Sequence, residues 1–405
     1  MRLTVKERKK ATAIVAPRYQ KSRKKDKGVI LDEFIELTGY GRRYASYVLR
    51  KHGKKVWINE TTVVRGDIRK RISRKKPCIY DDKVLEALKK IWDIMDYICG
   101  KRLAPVLKET VIRLQRCNEI SISEEVRKKL FSISPATIDR LLSKERKKQQ
   151  IKGRSNTKPG TLLRNQIPIR TFSDWNDSKP GFTEIDLVGH DGGDAHGEFA
   201  QTLDVTDICT TWTETEAVRN KAQKWVFDAL RDIRQRMPFP LLGIDSDSGS
   251  EFINNHLVTY CGDEHITFTR GRSYRKNDNC YVEQKNYSVV RRAVGYLRYD
   301  TEEELLVLNE LYRYLRLYSN FFQPTMKLIE KTRIGSRVTK RYDKAQTPYR
   351  RVLASPDVSA QDKQKLKTQN AKLNPAHLKR QITSLQQKLI RLNTIKQAPR
   401  KKTAA

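Results

Sequence analysis

The 405-residue chain has six cysteines, at 78, 99, 117, 209, 261 and 280, and no two of them form a C-x-x-C pair. Its six histidines fall in no metal-ligand spacing. Neither a disulfide framework nor a structural zinc site is therefore expected, and the thiols are expected to be reduced. Also missing is any apolar run as long as a membrane-spanning helix, and the opening residues show no signal-peptide pattern. Negative charge is scarce: 83 Lys and Arg stand against 47 Asp and Glu, a net charge of +36. An excess of that size, spread along the whole chain, points to a polyanionic partner, nucleic acid ahead of a membrane surface. Hydrophobic residues make up 38%, low for one globule but enough for a core near the middle, and the length suggests two to four domains.

What is present concentrates between Leu241 and Glu283. Leu241, Leu242 and Ile244 read as a short buried strand running into a Ser248-Gly249 turn. Asp247 then stands near the C-terminal end of a strand, where α/β folds place their ligands. Further on, Asp278 or Asn279 can cap a helix with the apolar face Val282, Val289, Val290, Ala293 and Val294, so Glu283 falls in its first or second turn. Upstream, Phe182, Ile185, Leu187 and Val188 form an apolar strand interrupted by Asp186. A charge within a buried strand is costly unless it is paired or bound to a metal. Taken alone, Asp186 reads as a solvent-facing residue of a half-exposed strand; three carboxylates in this order and context read as a site.

The set Asp186, Asp247 and Glu283 resembles the Asp-Asp-Glu triad of insertion-sequence transposases and retroviral-type integrases. Between Asp247 and Glu283 lie 35 residues, the spacing characteristic of that family. The run Ser246 to Phe252 resembles the family's Ser-Asp-Asn-Gly-Ser-Glu-Phe and departs from it at Ser248. Lys276 to Asn286 and Asn320-Phe321-Phe322-Gln323-Pro324 resemble a bacterial insertion-sequence branch, so the likeness covers about Thr183 to Pro324. Asp245, two residues before Asp247 on the same strand face, competes for the second position. Glu251, Asp191, Asp194, Asp204 and Asp207 read as supporting, capping or solvated, with Asp191-Gly192-Gly193-Asp194 as a hairpin turn.

The resemblance implies an α/β RNase H-like catalytic core over 181–325, a mixed five-stranded sheet with flanking helices, preceded by all-α helix-turn-helix DNA-binding domains. It implies cutting of element ends and joining of 3′-hydroxyls to target DNA by phosphoryl transfer. Asp186 would bridge two Mg²⁺ ions, Asp247 would hold one and Glu283 the other, with Mn²⁺ able to substitute. Hard cations held by carboxylates and substrate phosphates make that donor set sufficient, with no Cys or His required. It further implies double-stranded DNA partners (terminal inverted repeats and target), a homo-oligomer holding two ends, and a cytoplasmic, nucleoid-associated setting in a bacterium or archaeon. The His/Cys zinc module that opens retroviral integrases is absent here. The rival readings are a non-catalytic DNA-binding regulator and an RNase H-type nuclease without strand transfer.

Along the chain, residues 1–75 read as a helix-turn-helix domain. Leu31, Phe34, Ile35 and Leu37 mark one helix, Thr38 to Gly41 the turn, and Arg42 to His52 a second helix with Arg42, Arg43 and Arg50 outward. Residues 79–148 read as a second such unit, with Ser134 as cap, Pro135 at the first helical position and a recognition helix over 135–147 carrying Arg140. Residues 149–180 read as a basic linker. Arg270, Arg272, Arg275 and Lys276 cluster before Glu283, and Lys285 follows it; these are expected phosphate contacts, with a solvated face as the alternative. By analogy 326–357 form a small β-rich DNA-binding module. Residues 358–405 read as a basic C-terminal helix and tail. There Leu378, Ile382, Leu385, Leu389 and Leu392 suit a helix docking on its own chain or on a dimer partner.

Overall fold

Residues 1–78 and 79–405 form two compact units, the first with one apolar core and the second with three apolar clusters among the described residues. The computed structural model describes residues 3–57, 63–65, 79–147, 178–247, 249, 251–252, 255–270 and 280–397. The expected linker falls almost wholly outside the described residues, as do Arg272, Arg275, Lys276 and the basic tail.

In the first unit, α1 (Val5–Lys21) starts at a reciprocal cap, Thr4 Oγ1 accepting from the Glu7 N–H while the Glu7 carboxylate accepts from the Thr4 N–H. Helix α2 (Lys24–Thr38) ends at Gly39, whose φ of +67° suits a residue without a Cβ. Helix α3 (Arg42–Lys51) follows, and Ala16, Tyr19, Ile30, Leu31, Phe34, Ala45 and Leu49 close the core among the three. A short antiparallel pair, β1 (Lys55–Trp57) and β2 (Val63–Arg65), completes the unit.

The second unit opens with α4 (Asp82–Ile94), α5 (Gly100–Arg116), α6 (Glu124–Ser132), α7 (Pro135–Leu141) and α8 (Ser143–Lys147). Ser134 caps α7 as expected, accepting from the Thr137 N–H. The recognition helix expected over 135–147 is nevertheless interrupted at Leu142, whose N–H turns back to Arg140 and Ile138. Gly100 lets α5 reach α7: a Cβ there would lie 2.1 Å from the Pro135 carbonyl oxygen. These helices are not a separate domain. Tyr318 donates to the Ile94 carbonyl, and Arg380 pairs with Glu119 at 2.8 Å.

The sheet follows: β3 (Phe182–Gly189), β4 (Gln201–Asp207), β5 (Thr213–Val218), then α9 (Gln223–Arg236), β6 (Gly243–Ser246), α10 (Asn255–Asp263) and β7 (Thr267–Arg270). Its order is β5-β4-β3-β6-β7. The first three strands meander antiparallel, and β6 and β7 run parallel to β3. This is a mixed five-stranded RNase H-like sheet, as expected. Asp191 to Asp194 is not a tight hairpin turn but part of a longer loop between β3 and β4, held by Arg298 through the carbonyls of Asp194 and His196.

After the sheet come α11 (Cys280–Lys285), a π-helical stretch (Asn286–Arg291), α12 (Arg292–Val294) and α13 (Glu302–Phe322). Helix α13 covers the edge of β5. Asn309 and Asn320 each receive one strand N–H and donate to one strand carbonyl, at Ala217 and Thr213. The amides replace a missing neighbour strand, which a bare edge otherwise invites from another chain. Asn320 thus has a structural role within the Asn320 to Pro324 motif. Residues 326–357 form an exposed hairpin, β8 (Leu328–Ile334) and β9 (Arg337–Tyr342), followed by helix α14 (Pro348–Ala354). Within 326–357 the β structure is this two-stranded hairpin, and the rest includes helix α14. Two further helices, α15 (Ala360–Lys372) and α16 (Pro375–Gln397), end the described chain. Leu378, Ile382, Leu385 and Leu389 of α16 pack into the core around α13, so this helix docks on its own chain. Among the described residues no helix is long and apolar enough to cross a membrane.

Candidate active site

The two faces of the sheet differ in chemistry. One carries Ile185, Leu203, Val205 and Ile244, which pack against α9 and α10 through Val226, Leu230, Ile233 and Leu257. Strand register puts Glu184 beside Asp245 and Thr206, and Asp186 beside Asp204, on the other face. Glu184, Asp204 and Asp245 are each completely buried there. Helix α11 lies over this side. Its first N–H groups, from Tyr281 and Val282, donate to Glu184 Oε2 at 2.8 and 3.0 Å. A carboxylate at a helix N-terminus meets unpaired donors and the positive end of the macrodipole.

That contact sets Glu283, exposed in the first turn of α11, against the strand that carries Asp186. The parallel register pairs Ile185 with Ser246, so Asp247 follows one step further, level with Asp186. Asp186 Oδ1 accepts from the Leu187 N–H at 2.8 Å, and Oδ2 accepts from Asn286 Nδ2 at 2.6 Å. Burial pushes the Asp186 carboxyl up to about 7; the charge of Asp247 adds to this and that of Glu283 adds further, while the two hydrogen bonds oppose. Asp247 and Glu283 thus each stand within electrostatic reach of Asp186. Asp247 sits at the exposed end of the strand, its carboxyl raised by the atoms packed round it and held down by the Gly249 N–H at 2.9 Å. A Cβ on Gly249 would meet the carboxylate ends of Glu251 and Asp247 within 2.9 Å, so a larger residue there would displace both side chains.

The competitor Asp245 is sunk inside the strand, where Thr269 Oγ1 donates to its Oδ1 at 2.6 Å. Asp207 caps the turn after β4, accepting from the Gly181 and Thr210 N–H groups. Asp191 and Asp194 accept from N–H groups two residues on. Asp204 takes a Thr206 hydroxyl at 2.9 Å on one oxygen. Burial raises its pKa and lowers that of Lys285, each partly offsetting the other.

Lys285 therefore corrects the expectation of a phosphate contact. It is buried under α11, its Nζ donating to the Thr211 carbonyl at 3.2 Å. Arg270 is corrected likewise: it ends β7 and is only 8% exposed. Arg42, Arg43, Arg50 and Arg140 do face solvent, Arg42 paired with Asp32. Glu184 and Asn286 are the functional-looking residues that sequence reasoning missed. The signals were there, a second acid two residues before Asp186 and an amide one helical turn after Glu283.

Chemically the donor set is all oxygen, three carboxylates whose mutual repulsion a hard divalent cation would relieve. Among the described residues no group of three or more His, Cys, Asp or Glu side chains is arranged to hold a metal ion. Carboxylate oxygens are nonetheless the donors a hard divalent cation takes, with remaining positions filled by phosphate and water.

No protein-family model matches the chain. Among solved structures it is similar to the catalytic core domain of BIV integrase, at 15% identity and a TM-score of 0.29, over 42% of this chain and 91% of that one. It is also similar to the HTLV-2 integrase catalytic core domain in complex with magnesium, in dimeric form, at 13% identity and a TM-score of 0.28, over 37% and 93%. Among curated sequences, 41% identity over 341 residues, 84% of this chain and 93% of the relative, places it beside one protein of Sinorhizobium fredii, and the chain belongs to the family of that protein, the uncharacterized protein y4rM.

Proposed function

We propose that the chain is a DNA transposase or integrase of a mobile insertion element, with Asp186, Asp247 and Glu283 as its catalytic carboxylates. The observation that carries the reading is geometric: the parallel register sets Asp247 level with Asp186, and the α11 N-terminus seated on Glu184 brings Glu283 against the same strand. Asp186, Asp247 and Glu283 would hold the metal ions. Two bound divalent cations would supply charge stabilisation for the attacking and leaving oxygens of an in-line displacement. The chain's own residues prepare that site. Asn286 orients Asp186 through its amide, Glu184 fixes the start of the helix bearing Glu283, and the Gly249 N–H holds Asp247. Helices α2 and α3 act as the helix-turn-helix reader, with Arg42, Arg43 and Arg50 toward DNA and Arg140 on a second helical contact. Holding two DNA ends requires a dimer or higher assembly, and a net charge of +36 suits duplex DNA as partner.

The test uses full-length protein, DNA carrying the flanking ends of its own gene, and Mg²⁺ or Mn²⁺. Metal-dependent 3′-end cleavage and strand joining, lost in Glu283→Gln, is the expected result. Cleavage without joining would leave a nuclease. End-specific binding with no cutting in either metal would leave a regulator.

A further inference from the structure

The β8–β9 hairpin stands apart from the rest of its unit, because every residue of both strands is exposed. A two-stranded hairpin with no packed face is marginal by itself, so its root has to hold it. Lys327 and Asp343 exchange backbone and side-chain bonds there, and Thr325 pairs with Gln346. Arg351 clamps the same root, pairing with Asp343 at 2.7 Å and donating to the Thr325 carbonyl at 3.1 Å. Thr211 ties this root to the active-site helix. Its hydroxyl meets that of Thr325 at 2.8 Å, and its carbonyl receives Lys285, two residues after Glu283.

From residue 327 to 342 the ribbon has six Lys and Arg against the single acid Glu330. Lys331 lies directly opposite Lys340, a cross-strand pairing of like charges that is destabilising unless an anion lies over it. At the tip Ile334 is 78% exposed beside Gly335, between Arg333 and Arg337. Seven extended residues reach roughly 23 Å from the root, at about 3.3 Å each, and a two-stranded ribbon is narrow enough for the major groove, about 12 Å wide.

We propose that the β8–β9 ribbon is a DNA-binding arm that lies along a duplex, Lys331, Arg337 and Lys340 contacting phosphates. It deepens the DNA-acting function above and rests on that function for duplex DNA rather than another polyanion. A second copy of this chain is the poorer occupant, because that copy is itself strongly positive and the basic residues repel strand-to-strand pairing.

The experiment measures binding of full-length protein to a random-sequence fluorescent duplex in EDTA, from 50 to 200 mM salt. Lys331→Gln, Arg337→Gln and Lys340→Gln together should weaken binding at least tenfold. They should also reduce the slope of log K against log salt by about two to three, at roughly 0.9 per lost phosphate contact. The control removes the same charge from exposed Lys365, Lys367 and Lys372 of α15 and should change binding less than threefold. A second variant, Lys331→Ala with Lys340→Ala, should weaken binding while its melting temperature stays unchanged or rises. An RNA duplex of the same sequence should bind more weakly than the DNA, its major groove being too narrow for the ribbon.

Equal losses in ribbon and control variants would overturn the proposal, as would unchanged binding by the ribbon variant or RNA binding as tight as DNA. So would a smaller assembly in solution with DNA binding intact, which would make the ribbon a strap between copies. Because no metal is present, failure here leaves the cleavage test standing. Loss of cleavage with ribbon-dependent binding intact would instead remove the enzymatic reading alone.

Discussion

The two faces of the central sheet are both buried, yet they are stabilised in opposite ways. Under α9 and α10 the contacts are apolar and need no particular geometry beyond close fit. Under α11 and α13 the buried side chains include Glu184, Asp204, Asp245, Thr202 and Thr206. Each buried polar group there needs a partner or costs free energy. The partners come from far along the chain: helix N–H groups for Glu184, Lys285 near Asp204, Tyr312 for Thr202. One face therefore stabilises the sheet; the other bears a cost that leaves carboxylates crowded where three of them reach the surface.

The sharpest way to break this comparison is to neutralise the acids. Asp186→Asn, Asp247→Asn and Glu283→Gln should each lower strand cleavage by about a thousandfold or more. That corresponds to roughly 4 kcal/mol of transition-state stabilisation. End binding and melting temperature should stay near wild type or rise, since repulsion is removed. Loss of binding to the same degree would make the acids structural. Asp245→Asn should be the milder change in cleavage, and the reverse order would exchange the roles of the two.

Ile233→Ala on the apolar face should do the opposite, costing about 2–5 kcal/mol in denaturant unfolding through the cavity it leaves. Cleavage per folded molecule should be unchanged. Glu184→Ala should cost about 1–3 kcal/mol by orphaning two helix N–H groups, and should lower cleavage as well. Glu184→Gln, which keeps an acceptor oxygen, should recover part of both, and full activity in the alanine variant would remove Glu184 from the positioning role.

The smallest effect concerns pH. Burial, with Arg291 adding, holds His190 down at about 3, its Nε2 on the Thr202 hydroxyl. Unfolded, it takes a proton below about 6.5. Between those values the unfolded chain binds more protons. Stability from this residue is therefore complete above about pH 6.5 and lost as pH falls toward 3, by at most about 1.4 kcal/mol per pH unit. The unfolding free-energy difference between wild type and His190→Asn, followed from pH 7 to 5, should move toward the variant. A flat difference would mean that His190 titrates normally.

The element order was largely legible in advance because it follows local periodicity. The runs at 183–190 and 241–246, the Ser134-Pro135 cap and the Gly39 turn each act within a few residues. The three acids were legible by spacing and flanks. A lysine two residues after Glu283 looks solvated in one dimension, whereas the docking of α11 turns Lys285 inward to the Thr211 carbonyl and Asp204. Helix 135–147 was read as continuous because periodicity does not register a local backbone turn at Leu142.

By itself the amino-acid order determined a basic chain, its strands and helices, and the three carboxylates in their order. These depend on composition and on neighbours a few residues apart. Only the tertiary structure decided which face of the sheet is acidic, that Asp247 rather than Asp245 reaches the surface, that Glu184 holds the Glu283 helix, and that α16 docks on its own chain. Those outcomes depend on register and on contacts between residues from 98 to 261 positions apart, where no local pattern reaches.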